Sequence, residues 1–138
     1  MIKPNKAVKD ILINQLMVNG NKHKSETILL NNLKSIQKVS NKKLDEILKL
    51  SIVNSSPYFS IKKIQRKKKN PTEFPFLLKN STKVLYGIKR LTLNSKFNKL
   101  NVELLDSAGY SGNSVSYKTE LHKEAFLKKK MASYRWFC

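Results

Sequence analysis

The chain has 138 residues, 28 of them Lys or Arg against 9 Asp or Glu, giving a formal charge of +19 and a sequence pI near 10.1. A chain of about 150 residues buries roughly two thirds of its unfolded surface, so this length supports one domain with a real core. Such a charge opposes compaction by self-repulsion, so it points to a partner that neutralises it, nucleic acid first and an anionic membrane surface second.

The single cysteine, Cys138, permits neither an intramolecular disulfide nor a Cys-rich zinc site. No apolar run approaches the ~20 residues that span a bilayer. The stretch MIKPNKAVKDILINQL lacks a signal peptide's apolar segment, and it carries Asp10 and no Arg, unlike a transit peptide. The chain is therefore expected to act where it is made. Its basic residues are nearly all Lys, with Arg only at Arg66, Arg90 and Arg135. With abundant Asn and Ile, this usage fits an A/T-rich coding genome.

Ala7–Val18 reads as a first helix, because Val8, Ile11, Leu12 and Leu16 share one face. Asn19-Gly20 stops it, both residues tolerating a left-handed cap. Asn21-Lys22-His23-Lys24 reads as a short basic loop. Ser25–Gln37 is a second helix with Leu29, Leu33 and Ile36 inward. Asn41 is placed to cap a third, Lys42–Val53, whose buried stripe is Leu44, Ile47, Leu48, Ser51 and Ile52. Asp45 and Glu46 suit the positive end of its dipole, and Ser55-Ser56-Pro57 ends it.

Tyr58–Leu78 breaks the helical pattern. Phe59 and Ile61 fall on one face of an extended arm, and Tyr58, Ser60 and Lys62 on the other. Arg66, Lys67, Lys68 and Lys69 follow with no acid among them, Asn70-Pro71 signals a turn, and Phe74-Pro75-Phe76 begins a second arm. Pro71 and Pro75 argue against a central strand. A protruding two-stranded ribbon with a basic tip suits a polyanion, although a charge run of this length is also compatible with a simply solvated face.

Asn80-Ser81-Thr82 reads as the cap of a fourth helix, Lys83–Ser95. Val84, Ile88 and Leu91 point inward, and Lys83, Lys89, Arg90 and Lys96 make a basic side. Gly87 within it would allow close backbone packing. Phe97–Ala108 is a fifth helix with Phe97, Leu100, Leu104 and Ala108 inward. Gly109 ends it, and Tyr110–Ser114 is a loop. Ser116–Ser133 is a sixth helix, very basic through Lys118, Lys123, Lys128, Lys129 and Lys130. Its apolar face of Leu121, Ala125 and Ala132 is thin, as for a helix docked partly on the body and partly on a partner. The expectation is an all-α, mainly helical fold: six helices in one domain, 1–138, with a basic β-hairpin (58–78) inserted between helices three and four.

Catalytic chemistry has little to stand on. Neither His23 nor His122 has a metal-ligating neighbour at the right spacing, and each reads as solvated or RNA-facing. Glu103 and Asp106 read as a charged helix face, as do Glu120 and Glu124. There is no phosphate-cradling Gly-rich loop and no nucleophile elbow. No cofactor and no metal are expected, and the chain is not expected to be an enzyme. Binding chemistry remains: Lys and Arg for phosphates, with Tyr58, Phe59, Tyr117, Tyr134 and Trp136 able to stack on exposed bases.

These residues also form a pattern. LINQLMVNG at Leu12–Gly20, with basic NKHKS after it, resembles the first helix and loop of the ribosomal protein S-seven family. NVELLDSA at Asn101–Ala108 resembles that family's fifth-helix motif ANELLDAA, and GIKRL at Gly87–Leu91 resembles AIRWL. Gly112, Val115, His122, Ala125, Ala132 and Tyr134-Arg135-Trp136 then fall in the family's register without a gap. The order of three helices, ribbon and three helices is also the family's.

The resemblance implies a structural constituent of the small ribosomal subunit. Such a protein binds the 3′ domain of small-subunit ribosomal RNA and nucleates head assembly. Its ribbon lies near the messenger exit path and the exit-site transfer RNA. The partners implied are that RNA, neighbouring small-subunit proteins, messenger and exit-site transfer RNA, with no membrane and no independent homo-oligomer. Carried onto this chain, the RNA-facing positions are Lys22, Lys24, Lys62, Lys63, Arg66, Lys89, Lys118, Lys123 and Arg135. Lys67, Lys68, Lys69, Arg90 and Trp136 join them on charge and stacking grounds.

Departures are the short N-terminal arm MIKPNKA, KKKNP where the family has a Gly-Gly turn, Arg90 for the aromatic of AIRWL, and Lys128 and Lys129 for Asn and Arg. With the A/T-rich residue usage, this drift points to an organelle-encoded, mitochondrial-type member, a plastid or an A/T-rich bacterial cytoplasm being the alternatives. Two other classes stay open on composition alone. A DNA-binding helical protein would need base-reading Asn, Gln and Arg where lysines stand. An RNA-processing enzyme would need an acid/base pair such as Glu103 and Asp106.

Overall fold

A computed structural model describes residues 6–65, 70–95 and 99–137, with side chains from 8 to 133 within those ranges. The elements in chain order are α1 (Lys6–Leu16), α2 (Lys22–Val39), α3 (Leu44–Ser55), β1 (Phe59–Ile64), β2 (Thr72–Leu77), α4 (Asn80–Ser95), α5 (Leu100–Ala108) and α6 (Asn113–Leu127), followed by a 3-10 segment, Lys129–Phe137. The mainly helical fold with a hairpin between the third and fourth helices is as expected.

The apolar stripes meet in one cluster. Val8, Leu12 and Leu16 of α1, Leu29, Leu33 and Ile36 of α2, and Ile47, Leu48 and Ile52 of α3 pack with Ile88 and Leu91 of α4 and Leu100 and Leu104 of α5. Each such side chain contributes roughly 1.5–3 kcal/mol on burial. Ile13 joins them although it lies off the expected α1 stripe. Gly87 is where α4 crosses the end of α3. A Cβ there would lie 2.6 Å from Ser56 Oγ and 3.2 Å from both Ile52 O and Ser56 Cα.

Several boundaries differ from expectation for local reasons. Asn19 (φ 53°) and Gly20 (φ 76°) complete the chain reversal alone. Asn21 then caps α2, its side chain accepting from Lys24 N–H, so Lys22, His23 and Lys24 form the first helical turn and not a loop. Lys43, not Asn41, precedes α3, and Glu46 and Ile47 donate back to its carbonyl. α3 runs on to Ser55, where Ser56 turns extended before Pro57. Asn80, Ser81 and Thr82 belong to α4 itself, Lys83 N–H donating to Lys79 O. α5 begins at Leu100, and Phe97 lies outside the described residues.

α6 begins three residues earlier than expected, after Gly112 at φ 89°, and stops at Leu127. Three successive ammonium groups, Lys128–Lys130, follow, and Lys128 reaches toward Glu73 of β2. The 3-10 segment from Lys129 packs on β2, while β1 packs on α6. β1 and β2 are antiparallel, from Phe59 opposite Leu77 to Ile64 opposite Thr72. With only two strands both are edges, so Pro75, opposite Ile61, breaks no further ladder. Phe74 and Leu78 are buried, which fastens the base of the hairpin to the body.

Candidate nucleic-acid interface

The hairpin is held at a fixed place on α6 by two polar contacts. At its root, Tyr58 N–H donates to His122 Nε2 at 3.1 Å. The imidazole lies edge-on to Phe59, ring centres 5.5 Å apart, and is tilted against Tyr58 at 6.0 Å. Accepting that bond requires neutral imidazole. Burial, and then the charge of Lys118, push the His122 pKa below its ordinary value. His122 is thus an internal acceptor, where sequence suggested a solvated or RNA-facing ring.

Farther out, Glu73 on β2 meets two ammonium groups. Lys63 on β1 is 2.7 Å away, and Lys128 at the end of α6 is in direct hydrogen-bond contact. Lys128 also lies 3.9 Å from Glu124. The hydrogen bonds from Lys128 and then Lys63 bring the Glu73 carboxyl down to about 2. The same pairing raises the Lys63 pKa. Glu73 was missed in the sequence reading, yet a signal existed: it is the only acid between Glu46 and Glu103. A solitary acid in so basic a stretch has cations within reach.

Among the expected RNA-facing residues, Lys22 and Lys24 are exposed in the first turn of α2. That turn carries no acid, opposite to what the dipole prefers, and among the described residues the acid that approaches Lys22 is Glu26, at 3.9 Å. Lys62 and Lys63 are exposed on β1, Lys89 on α4 and Lys123 on α6. Arg90 lies 3.4 Å over the Tyr117 ring, so that face is occupied by a guanidinium rather than open to a base. Lys83 covers the Tyr58 ring similarly at 4.5 Å. Arg66, Lys67, Lys68 and Lys69 lie outside the described residues, as do the side chains of Arg135 and Trp136.

Lys118 departs most from its expected setting. It is 8% exposed, and its ammonium donates to Asn54 O at 3.0 Å and Val53 O at 3.4 Å. Those are last-turn carbonyls of α3, which have no helical donor of their own. Burial lowers the Lys118 pKa. Asn54 in turn donates to Ser107 O at 2.9 Å, at the end of α5. Glu103 is likewise internal: buried at 7% exposure, it accepts from Ser114 N–H at 2.8 Å in the first turn of α6. The charged surface expected for Glu103 is therefore corrected to a buried cap.

Among the described residues no group of three or more His, Cys, Asp or Glu could hold a metal ion, and no helix is long and apolar enough to cross a membrane. What the surface offers is cationic side chains on a shaped, docked hairpin and on the helices beside it. That arrangement can pair with phosphates, fixing position more than reading sequence.

Known proteins are similar to this chain over most of its length. A family model described as Ribosomal protein S7p/S5e matches residues 2–129. A small ribosomal subunit protein uS7 from Heliobacterium modesticaldum is similar to this chain, 30% identical over 139 residues, covering 96% of this chain and 88% of that protein.

Proposed function

The chain belongs to the ribosomal protein S7p/S5e family, and from that premise we propose that it binds the 3′ domain of small-subunit ribosomal RNA and organises the subunit head during assembly. Its role is that of a structural protein of the small ribosomal subunit, contributing affinity and shape and no turnover. The observation that carries the RNA-binding reading is the docked hairpin with exposed Lys62 and Lys63, on a chain whose charge is +19. Two of its nine acids are already engaged internally: Glu73 by two lysines and Glu103 by Ser114 N–H. Most of the positive charge is therefore left for an external polyanion.

On this reading Lys22, Lys24, Lys62, Lys63, Lys89 and Lys123 meet phosphates. Arg66, Lys67, Lys68, Lys69, Arg135 and Trp136 extend the contacts. Lys118 and Arg90 act one step back, holding α3 and Tyr117. The hairpin points toward the messenger exit and exit-site transfer RNA. The A/T-rich residue usage supports a mitochondrial small subunit as the site of action.

The test is binding of the purified chain to its ribosomal 3′-domain RNA and to random RNA at ~150 mM salt, where non-specific contacts weaken. Clear preference for the ribosomal RNA supports the proposal, and equal affinity overturns it. Sedimentation of the tagged protein with small subunits from fractionated mitochondria tests the location. Its presence only in another compartment's ribosomes would overturn that part.

A further inference from the structure

We propose that Glu73 is a displaceable internal counter-anion: Lys63 and Lys128 form a phosphate site for a bound polynucleotide, and Glu73 fills it until the polynucleotide arrives. This rests on the RNA-binding reading above and adds to it a residue that tunes affinity.

Three observations carry it. The two ammonium groups come from separate elements, β1 and the end of α6, and converge on one carboxylate. A carboxylate bound between two lysines stands where a phosphate would stand, since both present oxygens to ammonium donors. The site is also open on one side. The Lys63 side chain is 72% exposed, against 31% for Lys128 and 23% for Glu73. An incoming phosphate can approach Lys63 without unfolding anything. Finally, Glu73 is the only acid between Glu46 and Glu103, and it sits on the arm that the proposed function sends toward RNA.

The exchange is balanced in favour of RNA. A partly exposed ion pair is weak, because water and salt compete for both partners. A polynucleotide that neutralises the same lysines releases its condensed counterions and gains entropy. Glu73 stays ionised near neutral pH, its pKa held at about 2, so it leaves the lysines by displacement and not by protonation. Every polyanion must perform that displacement. A random RNA touching few lysines gains little beyond it, whereas a fitted RNA making many contacts absorbs it. The cost is the same for each, so the carboxylate lowers affinity for every polyanion and leaves the ratio between them unchanged.

The variant is Glu73→Gln in the full chain, which keeps shape and removes charge. Its affinity for random RNA at ~150 mM salt should rise about fourfold per freed lysine–phosphate pair, and its log–log salt slope should steepen by about 0.7 per pair. Affinity for ribosomal 3′-domain RNA should rise by the same factor, leaving the preference between the two RNAs unchanged. Adding Lys63→Gln and Lys128→Gln to that variant should abolish the gain. If E73Q leaves affinity and slope unchanged, or weakens binding while its circular dichroism matches wild type, Glu73 only positions the hairpin and the counter-anion proposal falls. If the wild type itself binds neither RNA, the proposed function falls and this inference with it. Wild-type binding with an unresponsive E73Q sinks the inference alone.

Discussion

At Gly87 the close approach of α4 to α3 is made by one missing methyl group. The Ser56 Oγ contact of 2.6 Å could be relieved by a side-chain rotation, but Ile52 O and Ser56 Cα, each 3.2 Å away, are backbone. Gly87→Ala should therefore destabilise the fold by about 1–3 kcal/mol, the usual range for forcing a methyl into a packed contact. Urea unfolding would show it as a lower midpoint at unchanged slope. Adding Ser56→Gly removes only the Oγ contact and should not restore stability, and a fully stable Gly87→Ala would mean that α4 and α3 are not this close. Sequence pointed to Gly87 because a glycine inside a good helix is costly without a packing reason. It could not show that Glu103 and Lys118 turn inward. Their partners, Ser114 N–H and the carbonyls of Val53 and Asn54, are backbone groups at helix ends, and such groups carry no residue signature. Spacing along one helix says which charges share a face, not whether that face meets another helix's terminus.

The hairpin and α6 act as a pair, and His122 couples them to pH. Only neutral imidazole can accept from Tyr58 N–H, and protonation would place a cation beside Lys118, with Lys83 over the neighbouring Tyr58 ring. The folded pKa is depressed, so the unfolded chain binds more protons just below the ordinary histidine value. The stabilising contact is present above that value and is lost as pH falls through the lowered pKa of His122. Between about pH 7 and about pH 5, the Tyr58 amide should lose hydrogen-exchange protection after correction for its intrinsic rate. His122→Gln should flatten that dependence, because its amide does not titrate. Equal pH dependence in both proteins would show that His122 does not control the docking. At this scale, element order and inward stripes were legible, since helix and strand periods differ. The turn at 19–21 was read too long because Asn19, Gly20 and Asn21 finish the reversal and cap α2 in three residues. The break at Lys128 was not legible, for it comes with a long-range pairing to Glu73.

Over the whole molecule, the core and the hairpin are energetically separable. The apolar cluster draws on α1 to α5 and contains no hairpin residue, while the hairpin packs on α6 and the 3-10 segment. The strands also begin and end at one point, since Leu78 N–H donates to Tyr58 O at 3.0 Å. A two-residue Asn-Gly turn can therefore join Tyr58 to Leu78 and replace everything between, in the geometry of a tight hairpin. The shortened chain should keep its helical circular dichroism and unfold cooperatively, with a midpoint lower by no more than about 10 °C. The loss of Phe74 burial and of the Glu73 pairs would account for the drop. Affinity for ribosomal RNA should weaken, and the salt slope should become shallower by about 0.7 for each phosphate contact removed. Charge on the helices, including Lys22, Lys24, Lys89 and Lys123, would remain, so residual non-specific binding should persist. A shortened chain without a cooperative transition would place the hairpin inside the folding unit. One that folds and binds RNA as tightly as wild type, with the same salt slope, would shift the interface to the helices and leave the hairpin no part in RNA affinity.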